Sequence, residues 1–303
     1  MNKNVIYTAM TGNYDELRQP TVIAEGFDYV LFTNDMPEQR IGIWQVRNIP
    51  YINRNNTRVA RWVKTHPHVL LCEYDVSLWH DANVQVDKPE YFHQIKELIS
   101  SKVLIASMDH IHRHCIYKEA FEIIYLNLDK MKKVLQEIAH IKHNGYPINN
   151  GLIETNCILR FHKDHKVIQF CENWWTMIDR YSSRDQLSFN YVAWKCDMDI
   201  MLILPQGSST RNHPYIHCNM HQRRSTIDDI IWYGSIKDKF ATHAQKYYIQ
   251  FTSSKKYSIA EYYSYAMMYI IRKYYSLVEK KYKIATRIKK ALSHYSPEQD
   301  YYL

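Results

Sequence analysis

The sequence predicts an α/β protein in which helices flank a mixed, mostly parallel sheet. Short apolar runs alternate with amphipathic stretches along the first two thirds of the chain. Hydrophobic residues make up 46% of 303 residues, which is enough to bury a substantial core. In open α/β sheets, ligands collect beyond the carboxyl ends of the strands. Polar residues that follow a strand are therefore the first candidates for function.

The apolar runs predict strands because each is short and bounded by turn-forming or polar residues. In chain order these strands cover 4–10, 28–33, 43–49, 68–79, 102–108, 151–161 and 199–205. Amphipathic periodicity predicts helices over 53–66, 88–101, about 116–141, 163–181 and from about Asp185. Pro89 favours a helix start close to its position, and the NGYP run at 144–147 predicts a turn.

Two regions of different composition indicate the domain organisation. Residues 1–235 read as one α/β domain, and residues 236–303 read as a helical, basic and Tyr-rich extension. In the extension, Ser258 and Glu261 form a capping box. Its second half carries many Lys and Arg with apolar residues between them and the single acid Glu279. Such a helix either lies on an anionic membrane surface or packs on the domain or a second subunit of a homo-oligomer.

Composition limits the partners and the compartment. Lys and Arg exceed Asp and Glu by 39 to 31, which favours anionic ligands or surfaces. The sequence contains no recognised nucleic-acid motif, so nucleic acid is not expected as a partner. The six cysteines form no C-x-x-C pair, which favours a reducing compartment. With no signal-peptide pattern at the N-terminus, we expect a cytoplasmic protein that is peripheral on the inner face of a membrane if the extension binds lipid.

The stretch CEYDVSLWHDANVQV, residues 72–86, delivers Asp81, Ala82 and Asn83 where a predicted strand ends. Side chains at i and i+2 can point their oxygens into one space. A hard divalent cation suits such an incomplete oxygen shell, which phosphate and water would complete. The tripeptide is also typical of a plain turn.

Several motifs in a fixed order place this tripeptide in context. They are VIYTAMTGNYD (5–15), DYVLFTND (28–35), NNTRVARWVKTHPH (55–68), YDVSLWHDANVQV (74–86), HIHRHCIYKEA (110–120), NNGLIETNCILR (149–160) and RDQLSFNYVAW (184–194). In these motifs the chain resembles the glycosyltransferase-like family of plant cell-wall and seed-mucilage proteins, whose similar domains occur in bacterial and viral polysaccharide gene sets. The resemblance implies a GT-A-like, Rossmann-type fold with Mn²⁺ or Mg²⁺ under a nucleotide sugar. Asp81 and Asn83 then have the spacing of the Asp-x-Asp signature of such enzymes, with Asn in the last position.

On this resemblance, the residues after the first two strands frame the nucleoside. Thr8, Gly12 and Tyr14 follow the first strand, and Asn34 or Asp35 follows the second. A simple turn is the alternative for Gly12.

Three basic residues on one predicted helix are candidates to neutralise the diphosphate beside Ala82. Arg58, Arg61 and Lys64 recur every three residues, and we select Arg58 and Lys64. A solvated basic face also explains this row.

The run HPYIHCNMH, residues 213–221, offers a third metal ligand. His217 is preferred over His213 and His221. A separate zinc site or ordinary histidines are the alternatives, and His213 precedes Pro214, which disfavours a helix there.

The resemblance also implies residues at the sugar. Asp185 is the expected catalytic base if the anomeric centre is inverted, although it also suits a helix cap. If configuration is retained, Glu154 or Gln186 lies at the reacting face. The remaining sugar or acceptor candidates are Asp109, Arg113, Asn150 and Gly151.

The expected function is thus a metal-dependent glycosyltransferase that moves a sugar from a nucleotide-sugar donor to a glycan or polysaccharide acceptor. The alternative is a non-catalytic carbohydrate-binding or scaffold protein on the same fold.

Overall fold

The computed structural model describes residues 3–12, 15–125 and 128–219. The strands are β1 (Asn4–Ala9), β2 (Phe27–Phe32), β3 (Gln39–Ile41), β4 (Trp44–Arg47), β5 (Val76–His80), β6 (Val84–Val86), β7 (Ile105–Asp109), β8 (Ile153–Arg160), β9 (Met201–Leu202) and β10 (Ile216–Cys218). The helices are α1 (Asn56–Thr65), α2 (Pro67–Leu70), α3 (Glu90–Ser100), α4 (Ile116–Tyr125), α5 (Met131–His143), α6 (His165–Arg180) and α7 (Gln186–Lys195).

The main sheet has the order β3-β4-β2-β1-β5-β8-β7-β9. Strands β4, β2, β1 and β5 run parallel, β8 lies antiparallel between β5 and β7, and β9 runs parallel to β7. Strands β6 and β10 form a second, antiparallel sheet. The predicted mixed, mainly parallel α/β fold is confirmed.

Helices cover both faces of the main sheet. Ile6 of β1 belongs to a buried apolar cluster that includes Tyr91 and Ile95 of α3. The next residue, Tyr7, donates from its hydroxyl to the Lys64 carbonyl of α1 at 2.9 Å. Because neighbouring residues of a strand point to opposite faces, α1 and α3 lie on opposite sides of the sheet.

Some predicted boundaries were wrong. The strand predicted over 68–79 begins only at Val76, because Pro67 starts the short helix α2 and a proline at the first helical position favours that start. The single helix predicted over 116–141 is two helices, α4 and α5. Between them, the Asp129 carboxylate accepts hydrogen bonds from Ser182 and Ser183, which ties the chain to the α6–α7 connection.

The sequence missed the short strands β3, β6 and β10. The predicted boundary at residue 235 and the extension over 236–303 lie outside the described residues. Within the described part of the chain, no helix has both the length and the apolarity needed to cross a membrane.

Candidate functional site

The candidate site is built where β5 ends beside the first half of the antiparallel strand β8. The Asp81 amide, directly after β5, donates to the Asn156 carbonyl of β8 at 2.8 Å. The pairing of β7 with β8 is interrupted between Ser107 and Met108. The Ser107 hydroxyl oxygen lies 2.8 and 2.7 Å from the carbonyl oxygens of Glu154 and Cys157, which this irregularity would otherwise leave unpaired. Bulges of this kind are common next to active sites.

Two acids and two bases form a charge cluster at this edge, and we call Arg61, Lys64, Asp81 and Asp185 the charge cluster. Lys64 Nζ lies 2.5 Å from Asp185 Oδ2 and 3.3 Å from Asp81 Oδ1. Arg61 Nε lies 3.1 Å from Asp185 Oδ1, and its NH1 atom lies 3.8 Å from Asp81 Oδ1. The formal charges of the four side chains cancel, which is how charges can be kept together away from water.

Burial removes solvent screening from these ion pairs. The Lys64 side chain is 0% exposed and that of Asp185 is 4% exposed. Burial raises the pKa of Asp185, but the charges of Arg61 and Lys64 outweigh it and hold this pKa well below its ordinary value. Burial lowers the pKa of Lys64, and the two carboxylates oppose that effect. Asp185 is therefore an ionised partner of two cations.

Asp81 differs from Asp185 because it faces solvent on one side. Its side chain is 29% exposed. Trp79 Nε1 donates to Asp81 Oδ1 at 2.7 Å, and Lys64 and Arg61 approach the same oxygen. Within the described residues, no contact engages Oδ2. The cluster thus fixes the Asp81 side chain through one oxygen and leaves the other oxygen available to a ligand.

Asn83 and His217 come together through one residue, Asn219. The Asn83 side-chain amide donates to the Asn219 carbonyl at 2.9 Å, and the Asn219 amide donates to the Asn83 carbonyl at 2.7 Å. His217 Nε2 lies 3.4 Å from Asn219 Oδ1, and its Nδ1 lies 2.7 Å from an Asp87 carboxylate oxygen. A carboxylate on Nδ1 favours the tautomer whose Nε2 carries the lone pair, which is the usual arrangement of a metal-binding histidine. In this structure Nε2 faces Asn219 Oδ1.

These residues suit a divalent cation that shares its shell with a substrate. Asp81 offers an open carboxylate oxygen, and His217 offers an oriented ring nitrogen. The described residues contain no preformed group of three or more His, Cys, Asp or Glu around a common point. Oxygen and imidazole donors suit a cation whose remaining ligands are diphosphate and water. The roles of Asp81, Asn83 and His217 as metal ligands stay predictions.

A small, open cleft runs along β1 and the end of β5. It is lined by predicted nucleotide contacts, Thr8 and Ala82, by Asp81, and by the rings of Tyr29 and Trp44. Within the described residues, the Thr8 side chain has a buried hydroxyl oxygen without a hydrogen-bond partner. A buried hydroxyl is normally paired, so this feature is compatible with the predicted role of Thr8 in nucleotide binding.

Other predicted nucleotide contacts have structural partners. Gly12 has a φ of 70°, and a Cβ there would collide with the Asn56 side chain at the start of α1. Asn34 exchanges two hydrogen bonds with the Ile49 backbone, at 2.8 and 3.1 Å. Tyr14 lies outside the described residues.

The row of bases on α1 separates into three environments. The Arg58 guanidinium donates to the carbonyls of Ile178, Asp179 and Tyr181 at the end of α6, where a cation offsets the negative end of the helix dipole. The Lys64 ammonium group is buried and contacts Asp81 and Asp185 in the charge cluster. Arg61 keeps 15% of its side chain exposed while it contacts both carboxylates. The sequence selected Arg58 and Lys64, and the geometry favours Arg61 for contact with a diphosphate.

Three of the predicted sugar-binding residues have partners within the protein. Asp109 accepts from the Gly207 amide at 2.8 Å and so holds the loop before β10. Glu154 is 2% exposed and pairs with Arg211, with its Oε1 2.8 Å from Arg211 Nε. Arg113 Nε lies 2.7 Å from Glu119 Oε2.

The last three predicted sugar contacts are Gln186, Asn150 and Gly151. Gln186 is half-buried at the start of α7, Asn150 is exposed, and Gly151 has a φ of 80°. In the described residues, no hydrogen bond or ion pair joins these three to Asp81.

Sequence reasoning missed several residues of the site. Trp79 and Thr155 position Asp81 and Asp185, and Thr155 Oγ1 donates to Asp185 Oδ2 at 2.9 Å. Strand alternation could have indicated Trp79, which lies two residues before Asp81. No local pattern could have indicated Asp87 or Arg211, because their partners lie 130 and 57 residues away in the chain.

The chain was compared with known proteins in three ways. A search of curated proteins found no match. The chain resembles the apo structure of the bifunctional glycosyltransferase WbbM, with a TM-score of 0.39 and 11% identity over 67% of this chain and 39% of that chain. It also resembles apo mouse xyloside xylosyltransferase 1, with a TM-score of 0.38 and 8% identity over 66% of this chain and 84% of that chain. Thus the chain spans about two fifths of WbbM.

A family model described as TOD1/MUCI70, glycosyltransferase-like domain, matches residues 1–212. These residues include β1 to β9 and the whole charge cluster. The match covers more than half of the sequence and confirms the resemblance drawn from its motifs. The chain therefore belongs to the TOD1/MUCI70 family of glycosyltransferase-like domains.

Proposed function

We propose that this protein is a metal-dependent glycosyltransferase that moves a sugar from a nucleotide-sugar donor to a glycan or polysaccharide acceptor. The observation that carries the proposal is Asp81. Its carboxylate is clamped through Oδ1 by Trp79 and Lys64, and it lines the cleft that also contains Thr8 and Ala82. A glycosyltransferase needs its cation-binding carboxylate at such a border between a nucleotide cleft and the sugar.

In the transfer, the bond between the anomeric carbon and the diphosphate oxygen breaks, and a bond from the acceptor hydroxyl oxygen to that carbon forms. The nucleoside diphosphate leaves with the bonding electrons, and the hydroxyl proton passes from the acceptor to the leaving diphosphate or to water. A cation held by Asp81, Asn83 and His217 would supply positive charge for the leaving diphosphate. Arg61, partly exposed beside Asp81, adds a second positive charge near the same group.

Asp185 was predicted as the catalytic base, and that role stays a prediction that its contacts disfavour. Its two oxygens are occupied by Arg61, Lys64 and Thr155. The low pKa that these cations impose makes the carboxylate a weak proton acceptor. We assign Asp185 instead to positioning, because it fixes Lys64 and Arg61 beside Asp81.

The proposal is tested by thermal unfolding of the full chain with nucleoside diphosphates and nucleotide sugars, each with Mn²⁺, Mg²⁺ or a chelator. Binding at ~100 times the dissociation constant adds about 2.7 kcal/mol of apparent stability. We expect one nucleotide family to stabilise the protein only with metal, and Asp81→Asn to abolish the effect.

Asp199→Asn is the matched control, because Asp199 is exposed and lies just before β9, at the other end of the strands from Asp81. It should leave the shift unchanged. If no nucleotide stabilises the wild type with either metal, the proposal fails and the chain is better described as a carbohydrate-binding protein. If Asp81→Asn retains the full shift, the nucleotide binds elsewhere.

A further inference from the structure

Two arginines lie along the carboxyl edge next to Asp81, and each is anchored by a buried acid. Arg113 Nε pairs with Glu119, and Arg211 Nε pairs with Glu154, at 2.7 and 2.8 Å. The two glutamate side chains are 5% and 2% exposed, whereas the arginine side chains are 24% and 56% exposed. The acids are thus inside the protein and the guanidinium groups are at its surface.

The anchoring uses one edge of each guanidinium group. Arg211 is held through Nε, and within the described residues no hydrogen bond engages its two terminal nitrogens. Arg113 is also held through Nε, and its NH2 atom lies 3.3 Å from His110 Nε2. A guanidinium fixed in this way presents its remaining N–H groups as a planar fork, which matches the oxygens of a carboxylate or a phosphate.

The two arginines act on the same surroundings. Burial and the positive charges of Arg113 and Arg211 lower the pKa of His110 to about 4, so this ring is neutral at pH 7. His110 Nδ1 accepts from the Arg113 amide at 3.0 Å, which fixes the ring beside that arginine. His110 therefore lies beside Arg113 without adding a charge of its own.

The same edge connects Arg211 to Asp81. Glu154 Oε2 accepts from the Asn156 side-chain amide at 3.3 Å, and the Asn156 carbonyl accepts from the Asp81 amide. The Asn156 side-chain amide also donates to Thr210 Oγ1 at 2.7 Å, which brings the residue next to Arg211 against the partner of Asp81. Among the described residues, Asn156 Oδ1 is buried without a hydrogen-bond partner, so the edge also has an unused acceptor for a hydroxyl group.

We infer that the sugar bound beside Asp81 carries an anionic group, a carboxylate or a phosphate, that Arg211 and Arg113 recognise. The inference rests on the proposed function, since it names the substrate class of that site. Because the buried glutamates already hold the guanidinium groups in place, binding the anion costs little side-chain entropy. A neutral sugar would leave the two forks facing water.

The test compares glucuronic acid and glucose 6-phosphate with glucose, by titration followed with saturation-transfer NMR of the full chain. We expect the preferred acidic sugar to bind at least about tenfold more tightly than glucose, as one charge-assisted contact implies. Preference for glucuronic acid identifies a carboxylate, and preference for glucose 6-phosphate identifies a phosphate. Arg211→Gln and Arg113→Gln should each remove most of the preference for the acidic sugar over glucose.

The matched control is Arg40→Gln, because Arg40 is exposed on β3, at the far edge of the sheet from β7 and β9. An equal loss in this variant would mean that net charge alone attracts the acid, which overturns the inference. Equal affinity for all three sugars, or no binding of the acidic ones, also overturns it.

Nucleotide and metal binding measured on the same preparations separates the two proposals. Acidic-sugar binding without any nucleotide binding would refute glycosyl transfer but support an acidic-sugar site at Arg211 and Arg113. Nucleotide binding with no preference for an acidic sugar would support the proposed function and refute the acidic-sugar site.

Discussion

The charge cluster makes a quantitative prediction for Asp185→Asn. The change keeps the size of the side chain but removes the charge that faces Lys64 at 2.5 Å and Arg61 at 3.1 Å. Removing one partner from a buried ion pair leaves an uncompensated charge and costs about 3–5 kcal/mol. Lys64 has no exposed side-chain surface, so solvent cannot screen this loss. We expect the free energy of unfolding to fall by that amount.

Urea unfolding at pH 7 measures the change. A slope near ~3 kcal/mol per molar, reasonable for a chain of this size, converts the loss into a midpoint shift of roughly 1–1.7 M. Tryptophan fluorescence follows the transition, and two of the seven tryptophans lie at the charge cluster, since Trp79 Nε1 donates to Asp81 and Trp174 Nε1 donates to the Asp185 carbonyl. Asp199→Asn should change the free energy of unfolding by less than ~0.5 kcal/mol, as expected of an exposed residue.

The pH dependence has a definite sign. The pKa of Asp185 is lower in the folded state than in the unfolded state, where it is about 3.9. Its contribution is therefore fully present above that unfolded value and is lost as the pH falls through the lower, folded value. The difference in unfolding free energy between wild type and Asp185→Asn should stay constant from pH 8 to pH 5 and narrow only below about pH 4.

A second substitution tests the cause of the loss. In the double variant Asp185→Asn with Lys64→Met, the uncompensated cation is gone and an apolar side chain lies near the rings of Trp79 and Trp174. We expect the double variant to be more stable than the sum of the single changes predicts, by about 2 kcal/mol. Additive effects, or a loss below about 1 kcal/mol for Asp185→Asn, would refute the reasoning from buried charge.

Two further predictions concern nucleotide binding. Thr8→Val should leave the unbound protein as stable or more stable, because it removes a buried unpaired hydroxyl, and should weaken nucleotide affinity about tenfold; unchanged affinity by calorimetry would remove Thr8 from the site. Arg58→Gln should lower the free energy of unfolding by about 1–3 kcal/mol, because it removes hydrogen bonds to α6 carbonyls, and should leave nucleotide affinity unchanged. Arg61→Gln should weaken nucleotide affinity at least about tenfold. The opposite ranking of the two variants in the same assay would contradict the assignment.

The order of strands and helices could be predicted from sequence because it depends on local periodicity. The runs at β1, β2 and β5 are buried almost throughout, and such runs are typical of central parallel strands. The errors occurred where a distant contact decides the local structure. Asp129 separates α4 from α5 by bonding to residues more than fifty positions later, and no window of sequence contains both partners.

The site was predictable to the extent that strand ends determine it. Asp81 follows β5 and Thr8 lies near the end of β1, so both reach the carboxyl edge by the geometry of parallel strands. The pairing of Arg211 with Glu154 and of Asp87 with His217 depends on how the chain returns to that edge after β9. Such pairings arise from tertiary structure, and the sequence showed only the separate residues.

The three bases of α1 show how a helical pattern can be correct and still mislead. Each step of three residues turns an α-helix by about 300°, which leaves neighbours in the row about 60° apart. Arg58 and Lys64 therefore point about 120° apart. Arg58 reaches the end of α6, and Lys64 reaches the end of β5, while Arg61 between them touches both acids of the charge cluster. Arg58 and Arg61 are exposed to a similar extent, at 14% and 15% of the side chain, but only Arg61 lies beside Asp81. Position relative to Asp81, rather than spacing along the helix, therefore selects the base that can meet a diphosphate.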